Sequence, residues 1–160
     1  MRTLALTAAA LAAVAAFAPA AGAAPALQYD VALGTSAAEI HARPHEQFNF
    51  QLTATNLGTE DPGNSGGLYS LKVKGLKFTA AQGEGWSCTV EPDNPDNPYA
   101  FFCLPTAKTM PTGTSHAPVT VFATPDGTGS NVFIPANVDG WRRSEQNHGN
   151  NRVNILVWIG

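Results

Sequence analysis

Apolar and polar residues alternate with a period of two through most of this chain. Residues 47–56 read QFNFQLTATN, with Phe48, Phe50, Leu52 and Ala54 on one face and Gln47, Asn49, Gln51, Thr53 and Thr55 on the other. Tyr69, Leu71 and Val73 alternate with Ser70, Lys72 and Lys74; Gly75 then shifts the phase by one, and Leu76 and Phe78 continue. Three further sets are Val119, Val121 and Ala123; Val132, Ile134, Ala136 and Val138; and Val153, Ile155, Val157 and Ile159. Successive side chains of a strand point to opposite faces, so this period predicts half-buried β-strands. Shorter strands are expected over residues 27–33, 86–90 and 99–103. The glycine at the phase shift predicts a bulge or a bend. Pro135, inside an otherwise regular run, predicts an edge strand or a bulge at that point.

Beyond the first residues no window carries an i, i+3, i+4 apolar stripe, and Gly and Pro punctuate the sequence at short intervals. Short strands with one apolar face each bury it best against a second sheet. The expected fold is therefore all-β, an immunoglobulin-like two-sheet antiparallel β-sandwich of about 7–9 strands. Its inner faces form the core and its outer faces stay wet. Three segments read as long loops: 58–67 (GTEDPGNSGG), 91–98 (EPDNPDNP) and 139–151 (DGWRRSEQNHGNN). No tandem repeat is visible.

The length of 160 residues fits one domain. Charged residues make up 13% of the chain, against roughly 25% in an average soluble domain. The formal net charge is −3, without the basic surplus or clustered Lys/Arg face of a nucleic-acid binder. So weak a charge also argues against an acidic disordered chain.

Much of the apolar content sits at the start. MRTLALTAAALAAVAAFAPAAGAAPA opens with Arg2, continues with an apolar run and ends in small residues. That order is a secretory signal peptide, with Ala21-Gly22-Ala23 as the cleavage site. The run is shorter than the roughly 20 apolar residues that span a bilayer. Cleavage after Ala23 leaves residues 24–160 as a single domain of 137 residues, with 8 basic and 12 acidic side chains and a net charge of −4. No second long apolar stretch follows. The chain is expected to be exported, to the periplasm or the medium, without a transmembrane segment.

Cys88 and Cys103 are the only cysteines. In an oxidising compartment they can form one bridge, and closing a loop of about 15 residues stabilises by roughly 3 kcal/mol in the chain-entropy model. The competing reading is a metal or catalytic thiol pair. It lacks the C-x-x-C spacing and any histidine between the two.

Several segments, taken in order, resemble a known family. QFNFQLTATNLG, closing residues 38–58, is similar to the "vtytltvtNtG" opening of the bacterial surface-repeat domain called domain of unknown function eleven. Gly75-Leu76-Lys77-Phe78 resembles its "glt" segment, GWSCTV at 85–90 its "gwtCsv", and Phe102-Cys103-Leu104-Pro105 its "vtCtlp". MPTGTSHAPVTV at 110–121 resembles "lapGasapitv", and Asn150-Asn151 precede the last strand as in "NNtatvtv". The resemblance covers nearly all of residues 24–160. It implies a secreted or surface immunoglobulin-like sandwich with a Cys–Cys bridge, used as a spacer or adhesive module and carrying no shared active site. The chain departs from the family as a lone copy and in longer loops around Glu60, Asp93 and Arg142.

Candidate chemistry is sparse. Ser115 and His116 are neighbours, but the segment is not G-x-S-x-G and adjacent strand residues point apart. His41 and His45 are four apart, yet Pro44 lies between them and no helical stripe supports a shared face. Glu60, Asp61 and Asn64 cluster, as do Glu91, Asp93, Asn94, Asp96 and Asn97. Such loops can supply the oxygen ligands of calcium, although no D-x-[DN]-x-[DN]-G loop occurs and Asp and Asn are ordinary turn formers. Trp86 and Trp158 read as packing residues, Trp86 near the bridge and Trp158 over the outer face of the last strand.

These observations point to a secreted, non-catalytic β-sandwich with a binding or structural role at the cell envelope or outside it. The expected partner is an envelope or extracellular protein or glycan, not nucleic acid. No cofactor is expected, with calcium as the possible exception. A rigid sandwich presents its loops, so the expected contact surface is the loops at one end: Asp93 and Asp96 in the acidic loop, and Trp141, Arg142 and Arg143 in the late one. Two rivals remain. One is a calcium-dependent module or small secreted enzyme using the loop carboxylates and His148. The other is an inhibitor that inserts the braced loop into an enzyme cleft.

Overall fold

The computed structural model describes residues 28–63, 67–91, 93–127, 131–139, 145 and 147–160. The expected signal peptide, Asn64, and the loop residues Trp141, Arg142 and Arg143 lie outside the described residues. The alternating runs form strands β1 (Val31–Thr35), β2 (Glu39–Ala42), β3 (Phe48–Asn56), β4 (Gly67–Leu71) and β5 (Leu76–Gln82). They continue as β6 (Trp86–Val90), β7 (Tyr99–Pro105), β8 (Val119–Pro125), β9 (Val132–Asp139) and β10 (Arg152–Ile159), with a short 3-10 turn at His148–Asn150. No helix among the described residues is long and apolar enough to cross a membrane.

The strands pair into two sheets, ordered β1-β3-β8-β5 and β2-β10-β9-β4-β7-β6. This is the expected immunoglobulin-like sandwich. Its inward faces meet in one core built from Phe50, Leu52, Phe78, Phe101, Val121, Ile134, Ile155 and their neighbours, all buried. Phe78 of one sheet lies 5.8 Å from Phe101 of the other, centroid to centroid. Each such side chain taken out of water stabilises the fold by roughly 1.5–3 kcal/mol.

Four details depart from the sequence reading. First, β2 was not expected, and it pairs parallel to β10, so the sandwich is not wholly antiparallel. EIHA is short, and its inward side holds only Ile40 and Ala42. Second, Gly75 marks a passage between sheets rather than a bulge in one strand. It has φ +93, Leu76 N–H bonds Val73 C=O across the turn, and the chain moves from the six-stranded to the four-stranded sheet. The bulges lie at Ser70/Leu71 and Phe78/Ala80.

Third, the faces of β4 are exchanged. Leu68 lies beside Cys103 and Val138 and points inward, and Tyr69 and Leu71 point outward. Fourth, Pro135 sits in an interior strand. The pairing of β4 with β9 ends at Ala136, however, so at Pro135 only β10 adjoins β9. A residue without an N–H is tolerated at such a local edge.

Cys88 and Cys103 are bridged, with S–S 2.11 Å and Cα–Cα 4.0 Å. They are register partners on β6 and β7. The bridge therefore fastens an edge strand to its neighbour within one sheet and closes the base of the 91–98 hairpin.

At the end of β3 the NLG turn is locked by Asn56. Its Nδ2 donates to Glu60 C=O at 3.0 Å and Met110 C=O at 2.8 Å, and its Oδ1 accepts the Gly58 N–H at 2.9 Å. A Cβ at Gly58 would meet Gln28 O at 2.6 Å and Asp30 N at 2.8 Å, so only glycine fits there.

Candidate functional site

The outer faces of the two sheets differ in chemistry. On the four-stranded sheet β3 turns out Asn49, Gln51, Thr53 and Thr55, β8 turns out Thr120, Phe122 and Thr124, and β5 adds Lys77, Thr79 and Gln82. Apart from Phe122 and the small Ala32 and Ala80 that face is polar, as one wet side of a sandwich should be.

The six-stranded sheet does the opposite. Leu156 and Trp158 point outward from β10, and Phe133, the register partner of Leu156, from β9. Pro135 continues the row toward Leu71 on β4 and Tyr99 on β7, and beyond them lie Tyr69, Phe102 and Leu104. The result is an apolar diagonal running across the sheet. Among the described residues six large hydrophobic side chains are exposed, and five of them stand on this face: Leu71, Tyr99, Leu104, Trp158 and Phe133, the last 61% exposed.

The rings on this face are held in place. Trp158 donates its indole N–H to Glu39 Oε2 at 3.3 Å and lies parallel to the ring of His41 on the neighbouring strand. Tyr99 packs edge-on against Tyr69, centroids 5.3 Å apart, and lies 6.0 Å from Phe102. Partial burial pushes the Tyr69 hydroxyl pKa up, and the charge of Asp139 adds to the shift. Polar residues border the diagonal: Glu39 and His41 at one sheet edge, Arg152 and Asn154 at the start of β10, and Ser87 and Thr89 on β6. Beside Trp158 an open groove of about 590 Å³ runs between His41, Arg43 and Asn131. An apolar centre with ordered aromatics and a polar rim is the anatomy of a protein–protein contact surface.

The loops expected to form one contact surface leave from opposite ends of the sheet. Along β4, Gly67 lies opposite Asp139, where the late loop begins, and Leu71 lies opposite Tyr99, where the acidic loop ends.

In the acidic loop one carboxylate is engaged by its own loop and another by a neighbouring strand. Glu91 Oε2 accepts from Asn94 at 2.8 Å and Asn97 at 3.1 Å. These two bonds, that from Asn97 first, hold its carboxyl below the usual carboxylate range. Asp93 pairs with Lys77 at 3.1 Å, and Asp96 N–H bonds Asn94 Oδ1 in an Asx turn. In the earlier loop Asp61 Oδ1 accepts the N–H groups of Gly63 and Met110. Glu60 accepts from Gln28 Nε2. No three His, Cys, Asp or Glu side chains converge as a metal cluster among the described residues.

The remaining candidates are scattered. Ser115 Oγ is bonded to Thr55 Oγ1 at 2.7 Å, whereas the His116 ring packs edge-on against Trp86, and burial pulls its pKa down. His41 stacks on Trp158, His45 occupies a turn at φ +60, and His148 begins the 3-10 turn.

The sequence reading missed the apolar face although its signal was present. In RVNILVWI and YAFFCLP both alternating sets carry large apolar residues, Leu156 and Trp158 in one, Phe102 and Leu104 in the other. A strand apolar on both sides needs two covers, and the second sheet supplies one.

No family model matches the chain, and no curated protein matches it. Among solved structures it is similar to the CARDB domain of a Pyrococcus furiosus protein, with TM-score 0.52, 14% identity and coverage of 82% of this chain and 94% of that one. A crystal structure of the same domain in complex with di-metal ions gives TM-score 0.53, 14% identity, and 83% and 90% coverage. The cohesin module of a Clostridium perfringens family 33 glycoside hydrolase gives TM-score 0.50, 10% identity, and 84% and 99% coverage. At these identities the likeness is one of fold, and it joins the chain to immunoglobulin-like β-sandwich modules.

Proposed function

We propose that this chain is an exported, non-catalytic binding module that docks a protein partner against the apolar outer face of its six-stranded sheet. The observation that carries the reading is the contrast between the two outer faces: one polar, the other an ordered diagonal of aromatic and aliphatic side chains. Keeping such a diagonal in water costs solubility without benefit to the fold, and its aromatics are the residue types that anchor interfaces. Its breadth over several strands favours a protein surface over a single sugar ring.

Export is supported by the leader-like opening of the sequence and by the disulfide, which persists in oxidising compartments. The non-catalytic reading is supported by the separate engagements of Ser115 and His116 and by the structural bonds made by Glu91, Asp93 and Asp61 in the acidic loops. The ordered resemblance to domain of unknown function eleven agrees with a surface role.

The test is crosslinking of the purified protein to envelope and medium fractions of the producing organism, with mass spectrometry of the linked sites. Crosslinks on β9 and β10, with capture lost in Phe133→Ser and Trp158→Ser and retained in Trp141→Ala and Arg142→Ala, support this face. The reverse pattern moves the surface to the late loop. Loss of a homodimer in the face variants, measured by sedimentation, identifies the occupant as a second copy.

A further inference from the structure

The interior of the sandwich is apolar except at one end. Of the five buried polar residues among those described, Asp30, Asn56, Glu145 and Asn151 gather where β1 begins and β3 ends, and Ser70 stands apart. Asn56 is fully engaged by the NLG turn. The other three are not.

Asp30 and Glu145 are two carboxylates, 6% and 5% exposed. Glu145 Oε2 accepts the Val31 N–H at 3.1 Å and its Oε1 the Asn147 N–H at 3.4 Å. Asp30 Oδ1 accepts Asn150 Nδ2 at 2.6 Å. The two acids sense each other: burial raises the Glu145 pKa, and the charge of Asp30 acts in the same direction.

Beside them lie two amide oxygens, Asn150 Oδ1 and Asn151 Oδ1, both buried and without a hydrogen-bond donor among the described residues. The Asn150 amide is fixed against Asp30 by its own Nδ2, so its orphan oxygen belongs to the same cluster. Asn151 is 8% exposed and follows directly. Its main-chain carbonyl accepts the Val138 N–H.

Buried acceptors normally find donors, and those that do not call for an explanation such as a water or an ion. Two buried carboxylates in mutual repulsion call for positive charge. Both demands meet at Asp30, Glu145 and Asn150, where the donors present are the Asn150 Nδ2 and the N–H groups of Val31 and Asn147, and where the charge of His148 opposes that of Asp30 at Glu145. A hard cation answers both demands, and calcium tolerates an irregular mixture of carboxylate and amide oxygens completed by water, whereas magnesium demands near-ideal octahedral geometry.

We propose that this end of the sandwich binds a calcium ion through Asp30, Glu145, Asn150 and Asn151. The ion ties β1 to the 3-10 turn and to the start of β10, segments that are remote in sequence. The site is separate from the acidic loops at 58–67 and 91–98 and from the docking face.

The test uses the purified protein treated with EDTA and then titrated with calcium chloride, read by calorimetry and thermal unfolding. One site with measurable heat and a melting temperature that rises with calcium are expected. Glu145→Gln retains an acceptor for the Val31 N–H and so keeps the fold. It should weaken calcium binding by at least the roughly 10-fold that loss of a supporting contact costs a metal site. Asn151→Asp adds a charged ligand and should tighten binding, and Asp93→Asn should leave it unchanged. Absence of heat and of a thermal shift in the unsubstituted protein overturns the proposal. So does an affinity unaltered in both Glu145→Gln and Asn151→Asp, or one abolished by Asp93→Asn.

Discussion

Trp158 and His41 are register partners across the one parallel pairing among the described strands, with ring centroids 6.2 Å apart and planes within 11° of parallel. Glu39, on the same edge strand, holds the indole N–H. Trp158 is thus oriented from β2 without contributing to the core. Trp158→Ser is expected to lower stability by no more than about 1 kcal/mol and to remove partner capture. A melting curve and a binding measurement on the same sample separate the two effects. A large loss of stability would make Trp158 a structural residue.

The Cys88–Cys103 bridge closes a segment with a sequence separation of 15. Reduction, or Cys88→Ser, should cost about 3 kcal/mol by the chain-entropy relation. Cys103→Ser should cost more, since Cys103 is fully buried and serine leaves a hydroxyl in the core. Thermal unfolding with and without reductant checks the first, and the comparison of variants checks the second.

Burial lowers the His116 pKa from the ordinary 6.5, with Asp61 opposing. The unfolded chain therefore takes up this proton first as pH falls. The contribution of His116 to stability is fully present above about pH 6.5 and is lost as pH falls through the lowered folded value. His116→Phe keeps a ring against Trp86 and removes the proton. The difference in melting temperature between the unsubstituted protein and this variant should shrink or change sign on acidification, and a pH-independent difference would contradict the assignment.

Asn56 makes three side-chain hydrogen bonds in a fully buried position. Asn56→Ala leaves the carbonyls of Glu60 and Met110 and the N–H of Gly58 without it, at about 1–3 kcal/mol for each group left buried and unpaired. Gly58→Ala forces a Cβ to within 2.6 Å of Gln28 O. Both variants should unfold well below the unsubstituted protein in urea. If either melts normally, the NLG turn is not what fixes the end of β3.

The alternation in β3, β8, β9 and β10 was readable because one set of each strand is strongly apolar, as with Phe50 and Leu52 or Ile155 and Val157. The two cysteines were readable because their strands form one hairpin. Three features were not readable. The chain changes sheets at Gly75, which depends on pairing with distant strands. Tyr69 and Leu71 face outward because Leu68 is claimed by Cys103 and Val138. Where both alternating sets are apolar, periodicity gives the strand but not its phase. The candidate face followed the same rule: Phe133 and Trp158 alternate with strongly apolar inward residues, and only the position of the second sheet shows which set is covered. The acidic cluster at Asp93 and Asp96 was visible by composition, but its internal bonds to Asn94 and Lys77 were not.

The crossing at Ser36–Ala38 carries a mechanical meaning. Ser36 N–H bonds Gln51 C=O in one sheet, and Ala38 C=O accepts Leu156 N–H in the other, so β1 and β2 lace the two sheets together along one flank. β2 runs in the same direction as β10. Tension applied to β2 from its start and to β10 from its end pulls these neighbours in opposite directions along their length. All the hydrogen bonds between them are then loaded at once instead of one after another, which is the arrangement that resists stretching best.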